Sequence, residues 1–376
     1  MQVTQLATIL NSSINPEIYG ATAVVNEDLS NIVDVGSAVI TGGVDNFVKA
    51  LPDVLAKTVF QDKIYEADTL GLLREDWEYG AILQKVYADE LTTSTNDTWN
   101  LQNGQDYSPN VFYGPSVYSK YWNKKTTFEV DMSVTKKQVA EAFRGASEMN
   151  AFISMLYTTI DNQFGYDIEA LAQRLVNTLM AEVINAANPV NAVNLLTEYN
   201  ATHTPTITAA DALENPGFLK FAAYRMSITI DRLKKPDKIF NVDGKLRFTN
   251  KSDLNLIALK DFVASENTYL QSEVWHNELT KLPNGIRTVP YWQGPGTSYD
   301  FASISKIDVV AETGVTVAQG GILAVMFDKS AAMIANSERY TDTNYNAKAR
   351  FTNIFTRADC SYFLDLSQNA VVFYIA

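Results

Sequence analysis

Between Ser147 and Asn188 the apolar residues Phe152, Leu156, Ile160, Phe164, Ile168, Leu171, Leu175, Leu179 and Val183 recur three or four positions apart, and Pro189 ends the pattern. That spacing predicts one amphipathic helix, about 60 Å long if continuous, at 1.5 Å per residue. A small compact domain has no use for such a length. The helix therefore reads as a structural spine, with Gly165 as the place for a bend. Its period is too irregular for a coiled coil, so the stripe is read as core.

Charge narrows what the spine serves. The chain has 376 residues, 46% of them hydrophobic, enough for one large or two to three modest domains, and a net charge of -13 with a pI near 4.7. Binding to nucleic-acid phosphates relies on clustered Lys and Arg, and no basic residue precedes Lys49, whereas Glu17, Glu27, Asp28, Asp34 and Asp45 are acidic. A nucleic-acid-condensing tail is excluded on those grounds; a container for nucleic acid is not. The lone Cys360 permits neither an intrachain disulfide nor a metal-thiolate site. The start MQVTQLATIL lacks the features of a signal peptide, and no apolar run approaches the ~18 residues that span a bilayer. A soluble, cytoplasmic protein is expected.

Residues 1–45, rich in Asn, Ser, Thr and Gly, read as an extended arm with one short helix at most. Phe47, Val48, Leu51, Val54, Leu55 and Val59 predict a packed helix from Asn46 to Phe60. The stretch from Thr92 to Pro115 is polar and has little to bury. Next, Phe128, Val130, Met132 and Val134 alternate with Thr127, Glu129, Asp131 and Ser133, the period of a strand wet on one face. With Val117, Tyr118 and Trp122 they suggest a long hairpin. Tyr113, Tyr118, Tyr121 and Trp122 beside Lys120, Lys124 and Lys125 superficially match a single-strand nucleic-acid binder. The acidic flanks favour a subunit interface instead.

Further along, a helix is expected over Phe218–Leu233, short strands over Lys238–Phe248 around the Asp243-Gly244 turn, and a helix capped by Ser252-Asp253 running through Leu256, Leu259 and Phe262. Residues 289–320 read as loop and strand around Gly294-Pro295-Gly296. Ile322–Phe327 is a buried-type strand, with Asp328 as N-cap of a short helix Lys329–Ile334, and two or three strands follow Ala349, joined through 365–369.

Catalytic chemistry finds little footing. There are two histidines: His203 in a Thr-rich linker and His276 after Trp275, both read as surface or packing residues. His276 and Glu278 match the opening of a zinc-deaminase motif, but its cysteine pair cannot exist here. The carboxylates in Arg74-Glu75-Asp76-Trp77-Glu78-Tyr79-Gly80 are read as a solvated face. Phosphate-cradling, dinucleotide and nucleophile-elbow motifs are missing. Paired carboxylates of glycosidase type have no sequence spacing to test, which keeps a polysaccharide-active enzyme open.

The succession of arm, hairpin, spine helix, mixed segment and final strands resembles the major capsid proteins of tailed bacteriophages over nearly the whole chain. FTNKSDLNLIALKDF looks like the family's strand, polar turn and following helix in the axial domain, and ILAVMFDKSAAMI like its strand leading into a short helix. RFTNIFTRADCSYFLDLSQNAVVFYIA resembles the terminal strand pair lying along the spine helix. The resemblance implies an α+β fold divided into an N-terminal arm and lead-in helices (1–90), an extended β-hairpin loop (91–135), the spine helix and first part of the peripheral domain (136–200), an axial domain (201–338) and C-terminal strands of the peripheral domain (339–376).

It further implies a structural subunit that is no enzyme and needs no cofactor or metal. Such subunits self-assemble into pentamers and hexamers of an icosahedral virion head around double-stranded DNA, with a portal protein at one vertex, inside the host bacterial cytoplasm. No charged helical segment precedes the arm, so a separate scaffolding protein is expected. The inter-subunit contacts implied are Tyr113, Tyr118, Lys120, Tyr121, Trp122, Lys124, Lys125, Arg357 and Asp359, the hairpin lysines meeting a neighbour's carboxylates. Some family members cross-link a hairpin Lys to a neighbour's Asn; Asn123 and Lys124 alone do not establish that, and ion pairing or solvation is the preferred role. A cellular encapsulin shell, which shares the fold and encloses protein cargo, is the alternative from another class.

Overall fold

The computed structural model describes residues 3–14, 19, 23–42, 47, 67–73, 82–88, 93, 95–107, 109–110, 112, 114–143, 146–271, 285–296 and 298–376. The helix expected over 46–60 (Phe47 apart), the Arg74–Gly80 patch, Tyr113 and His276 lie outside them. The chain divides into two compact units, one of residues 1–78, 125–174 and 334–361, the other of 79–124, 175–333 and 362–376.

In the first unit, two helices occupy the stretch expected to be an extended arm: α1 (Val3–Ser13) and α2 (Ile32–Gly42). Ala7, Leu10 and Ile14 on one, and Ile32, Val35 and Val39 on the other, are buried in a core with Phe47, Val139, Phe143, Phe152 and Leu156. Their helical spacing was masked by the surrounding Asn, Ser and Thr, and tertiary burial rather than propensity forms them. Gly36 is needed where α2 passes Phe143, because a Cβ there would stand 2.5 Å from the Phe143 Cβ.

Strand β3 (Lys125–Thr135) alternates as predicted, and the helix α3 (Lys136–Ala142) follows at once through a capping box between Thr135 and Gln138. Its ladder partner is different from the one expected. β3 pairs antiparallel with β11 (Phe351–Leu364), Thr135 opposite Phe351 through Lys125 opposite Ser361, in a three-stranded sheet with β10 (Ala332–Asn346). Cys360 is buried in β11, and burial pushes its thiol up to about 12, with Asp359 and Asp167 adding to the shift. The spine is helix α4 (Ala146–Asn185), helical throughout, Gly165 included.

The second unit is built on a five-stranded mixed sheet of order β4-β12-β9-β5-β6, made by Ala192–Asn194, Ala370–Tyr374, Ile322–Asp328, Leu254–Leu259 and Arg287–Val289 respectively. Every residue of β9 is buried, as its uninterrupted apolar run predicts. The neighbouring β5 was expected to be helical. Its LNLIAL run satisfies a 3–4 spacing and a buried strand equally, and pairing with β9 decides for the strand. The helix expected to start at Ser252-Asp253 begins only after β5, as α7 (Lys260–Gln271), and Ser252-Asp253 does not cap it.

Helices α5 (Leu195–Thr202) and α6 (Pro216–Leu233) start at Asn194 and Asn215, each side chain accepting from a first-turn N–H, and Pro216 fits the first helical turn of α6. The buried Trp292 donates from Nε1 to the Ile322 carbonyl at 2.9 Å, and Asn177 Nδ2 donates to the Trp292 carbonyl at 2.6 Å. A short helix α8 (Phe301–Ile304) leads into the hairpin of β7 (Ile307–Val310) and β8 (Thr316–Gln319).

Three further expectations change. The strands around Asp243-Gly244 reduce to a single bridge between Asp237 and Arg247. No helix follows Asp328: its carboxylate accepts from Ser330 N–H at 2.9 Å and from Thr249 Oγ1 at 2.8 Å, closing a turn that feeds β10. The last two strands, β11 and β12, belong to different sheets rather than forming a pair.

Gly321, at φ +69°, sits where Ile375 N–H donates to its carbonyl at 2.9 Å, and an added Cβ would overlap the Ile375 carbonyl. Gly321→Ala is expected to cost at least ~2 kcal/mol, read from urea denaturation. A second expectation concerns Cys360, which should resist iodoacetamide at pH 8 in the folded chain and react once urea unfolds it.

Candidate functional site

The hairpin expected from the sequence exists with a different partner. β1 (Leu83–Ala88) and β2 (Val117–Trp122) run antiparallel, with Leu83 opposite Trp122, Lys85 opposite Lys120, and Tyr87 opposite Tyr118. Because strand side chains alternate, these three pairs share one face, which is half-buried, while Gln84, Val86, Ala88, Val117, Ser119 and Tyr121 form an exposed face. The polar stretch between the strands, among the described residues, holds only a single 3-10 turn at Asp97–Trp99.

Lys85, Tyr87 and Lys120 on the half-buried face converge on Asp365, whose side chain is fully buried. Lys120 reaches its Oδ1 at 3.2 Å and Lys85 its Oδ2 at 3.4 Å, and the Tyr87 hydroxyl donates to Oδ2. From its own turn, Ser367 adds its N–H at 3.2 Å and its hydroxyl at 2.7 Å, both to Oδ1. Lys85 also donates to the Ser330 carbonyl at 2.6 Å, and Lys120 pairs with Asp243. Two lysines thus face two carboxylates.

Aromatic contacts frame the charges. Trp122 Nε1 donates to the Leu364 carbonyl at 2.9 Å and its ring lies 5.2 Å from Phe363, over which Lys85 Nζ sits at 4.2 Å. At the other end Tyr87 and Tyr118 stack at 5.1 Å, Arg247 donates to the Tyr118 hydroxyl at 2.6 Å and covers the Tyr87 ring, and Lys245 covers Tyr118.

Burial alone would raise the Asp365 pKa, but donation from Tyr87 and Ser367 and the charges of Lys85 and Lys120 outweigh it and hold the carboxyl down to about 2. Burial lowers Lys85 despite Asp365, whereas at Lys120 the burial effect is overcome by Asp243 and Asp365 and the net shift is upward. Burial and the adjacent carboxylate push the Tyr87 hydroxyl upward, so it stays a donor.

Of the residues singled out in the sequence, Tyr118, Lys120 and Trp122 come together here. Lys124 pairs with Glu312 at 2.8 Å in its own chain, and Tyr121 is 61% exposed and accepts from Gln84 Nε2 at 2.9 Å. Lys125 is exposed at the start of β3. Arg357 and Asp359 lie in the first unit's sheet, where Arg357 bridges Glu129 and Asp342 and Asp359 accepts from Thr127 at 2.6 Å. His203 stacks on Tyr199 with ring centres 4.1 Å apart and does not join the cluster. Sequence reasoning missed Asp365, Tyr87 and Lys85. The register of β1 against β2 sets Lys85 and Tyr87 beside Lys120 and Tyr118, whereas no local signal marks Asp365.

Among the described residues, no group of three or more His, Cys, Asp or Glu side chains could hold a metal ion, and no helix is long and apolar enough to cross a membrane.

The fold itself is that of a phage capsid subunit. The capsid structure of Staphylococcus phage Andhra superposes with a TM-score of 0.52 at 10% identity, covering 84% of this chain and 86% of the other. Weaker likenesses are to a chain in the structure of head fiber and inner core protein gp22 of native bacteriophage P68 (TM-score 0.48, 8% identity, 81% and 83% covered) and to the capsid of Cyanophage P-SCSP1u (0.41, 14%, 90% and 98%). The chain belongs to the Phi29-like phage major capsid protein family, whose model matches residues 8–374. No curated protein matches it. It is a structural subunit of a virion shell of identical copies, which replaces the polysaccharide-enzyme and cellular-shell alternatives.

The depressed Asp365 pKa fixes a pH dependence. A carboxyl whose pKa falls on folding stabilises fully above its unfolded value near 4, and that contribution, roughly 2 kcal/mol, is lost as pH falls from there through about 2. Urea denaturation should show the wild type's advantage over Asp365→Asn constant from pH 7 to 5 and shrinking toward pH 2.

Proposed function

We propose that the chain self-assembles into pentamers and hexamers that close an icosahedral head around packaged double-stranded DNA, with the β1–β2 hairpin as the arm that reaches a neighbour. The observation that carries this reading is the apolar surface the arm leaves uncovered. Trp99 is 93% and Phe112 92% exposed in the connecting stretch, and Val86 and Val117 stand 62% and 57% exposed on the ladder's outer face. Soluble monomers rarely expose large aromatic side chains so fully, and buried aromatics dominate the cores of subunit interfaces.

In this reading Tyr113, Tyr121, Lys124, Lys125, Arg357 and Asp359 meet neighbouring copies, while Tyr118, Lys120 and Trp122 fix the arm from which contacts are made. Residues 201–338 correspond to the axial domain and 339–376 to the closing strands of the peripheral domain. The net charge of -13 supports an inner wall with little affinity for DNA, so that packing and release are not opposed by adhesion. Assembly takes place in the host bacterial cytoplasm on a separate scaffolding protein, with a portal at one vertex.

Electron microscopy of size-exclusion fractions tests this, with the chain expressed alone and together with the scaffolding protein. Closed shells or regular capsomers are expected from the wild type. The double variant Trp99→Ala, Phe112→Ala should stay unassembled while its unfolding free energy changes by less than about 0.5 kcal/mol, as for exposed positions. A wild type that remains a monomer under both conditions contradicts the proposal, and a double variant that assembles normally removes the arm from it.

A further inference from the structure

We propose that Asp365 is a latch that seats the hairpin β1–β2 in one orientation on its own subunit before any neighbour is met, and that this seat rather than the ladder keeps the arm ordered. A two-stranded ladder by itself is marginal in water. This one is also handicapped, because Lys85 and Lys120 stand directly opposite each other, and like charges in that position repel. Asp365 turns the handicap into a requirement: one buried carboxylate accepts from both lysines and from Tyr87, so that the ladder's inner face is complete only when it lies on the 365–368 turn.

The turn is itself held firmly. Asp365 N–H donates to the Ala331 carbonyl at 2.6 Å, Asp243 N–H to the Leu366 carbonyl at 3.3 Å, and Ala370 N–H to the Phe240 carbonyl at 2.9 Å, immediately before β12 enters the buried sheet. The seat is therefore rigid and the arm is the part that can leave. Leaving carries an electrostatic cost, since lifting the hairpin takes both lysines and the Tyr87 hydroxyl from Asp365 and leaves it with Ser367 and Gln368. The depressed carboxyl keeps the latch closed across the neutral and mildly acidic range.

The inference rests on contacts within one chain, so it stands or falls independently of what the arm touches in the assembly. Hydrogen exchange measured by mass spectrometry on the unassembled full chain tests it. In Asp365→Asn the amides of 83–88 and 117–122 should exchange about tenfold faster or more, while those of 322–328 and 370–374 keep the wild-type rate. Tyr87→Phe and Lys120→Met alter the hairpin side only and serve if Asp365→Asn does not fold. Each should speed exchange in the same two strands alone. Unchanged exchange in the strands, or acceleration shared equally by 322–328, overturns the latch.

Discussion

One buried carboxylate shared between two facing lysines is the constraint on which the arm of this protein depends. Burying a charge is costly unless it is paired and hydrogen-bonded, and Asp365 is both, six donors reaching its two oxygens from the hairpin and from its own turn. An apolar substitute of the same volume could hold the hairpin down, but it would accept a shifted register. A carboxylate reached by Lys85, Tyr87 and Lys120 accepts only the alignment that puts those three on one face.

The remainder of the second unit supplies the rigidity that the latch needs. β9 is central and wholly buried, β12 and β5 flank it, and the chain enters β12 directly from the turn that carries Asp365. Trp292 and Gly321 tighten the sheet at Ile322 and Ile375. The first unit solves a different problem. There the N-terminal helices, which have little intrinsic helix-forming strength, are held by burial against α3 and the start of α4. In both units a locally weak element is made definite by packing on a strong one.

Legibility in the sequence followed the strength of the local period. The spine, β9, β3 and α6 were readable because long runs of 3.6 or 2 admit one interpretation. β5 was not, since a six-residue run with only Asn255 polar suits either state and only its place between β9 and β6 settles the matter. The hairpin was half-read: β2 was recognised, but alternation says which face a strand buries and nothing about which strand lies beside it, so β1 was overlooked and β3 taken as the partner. Among the site residues, Lys120, Tyr118 and Trp122 stood out through the aromatic and basic cluster around them. Asp365 could not, because it lies 245 residues beyond Lys120 in a turn that reads as ordinary loop. Capsid class was visible in the order of elements, a property no single motif carries.

The most direct measurement is a cryo-electron microscopy reconstruction of the assembled shell at side-chain resolution. The account predicts that in every symmetry-independent copy Lys85, Tyr87 and Lys120 remain on Asp365 of the same chain, while Trp99 and Phe112 are buried against a neighbour. Hairpins lifted from Asp365, with those lysines paired to carboxylates of another subunit, would contradict it.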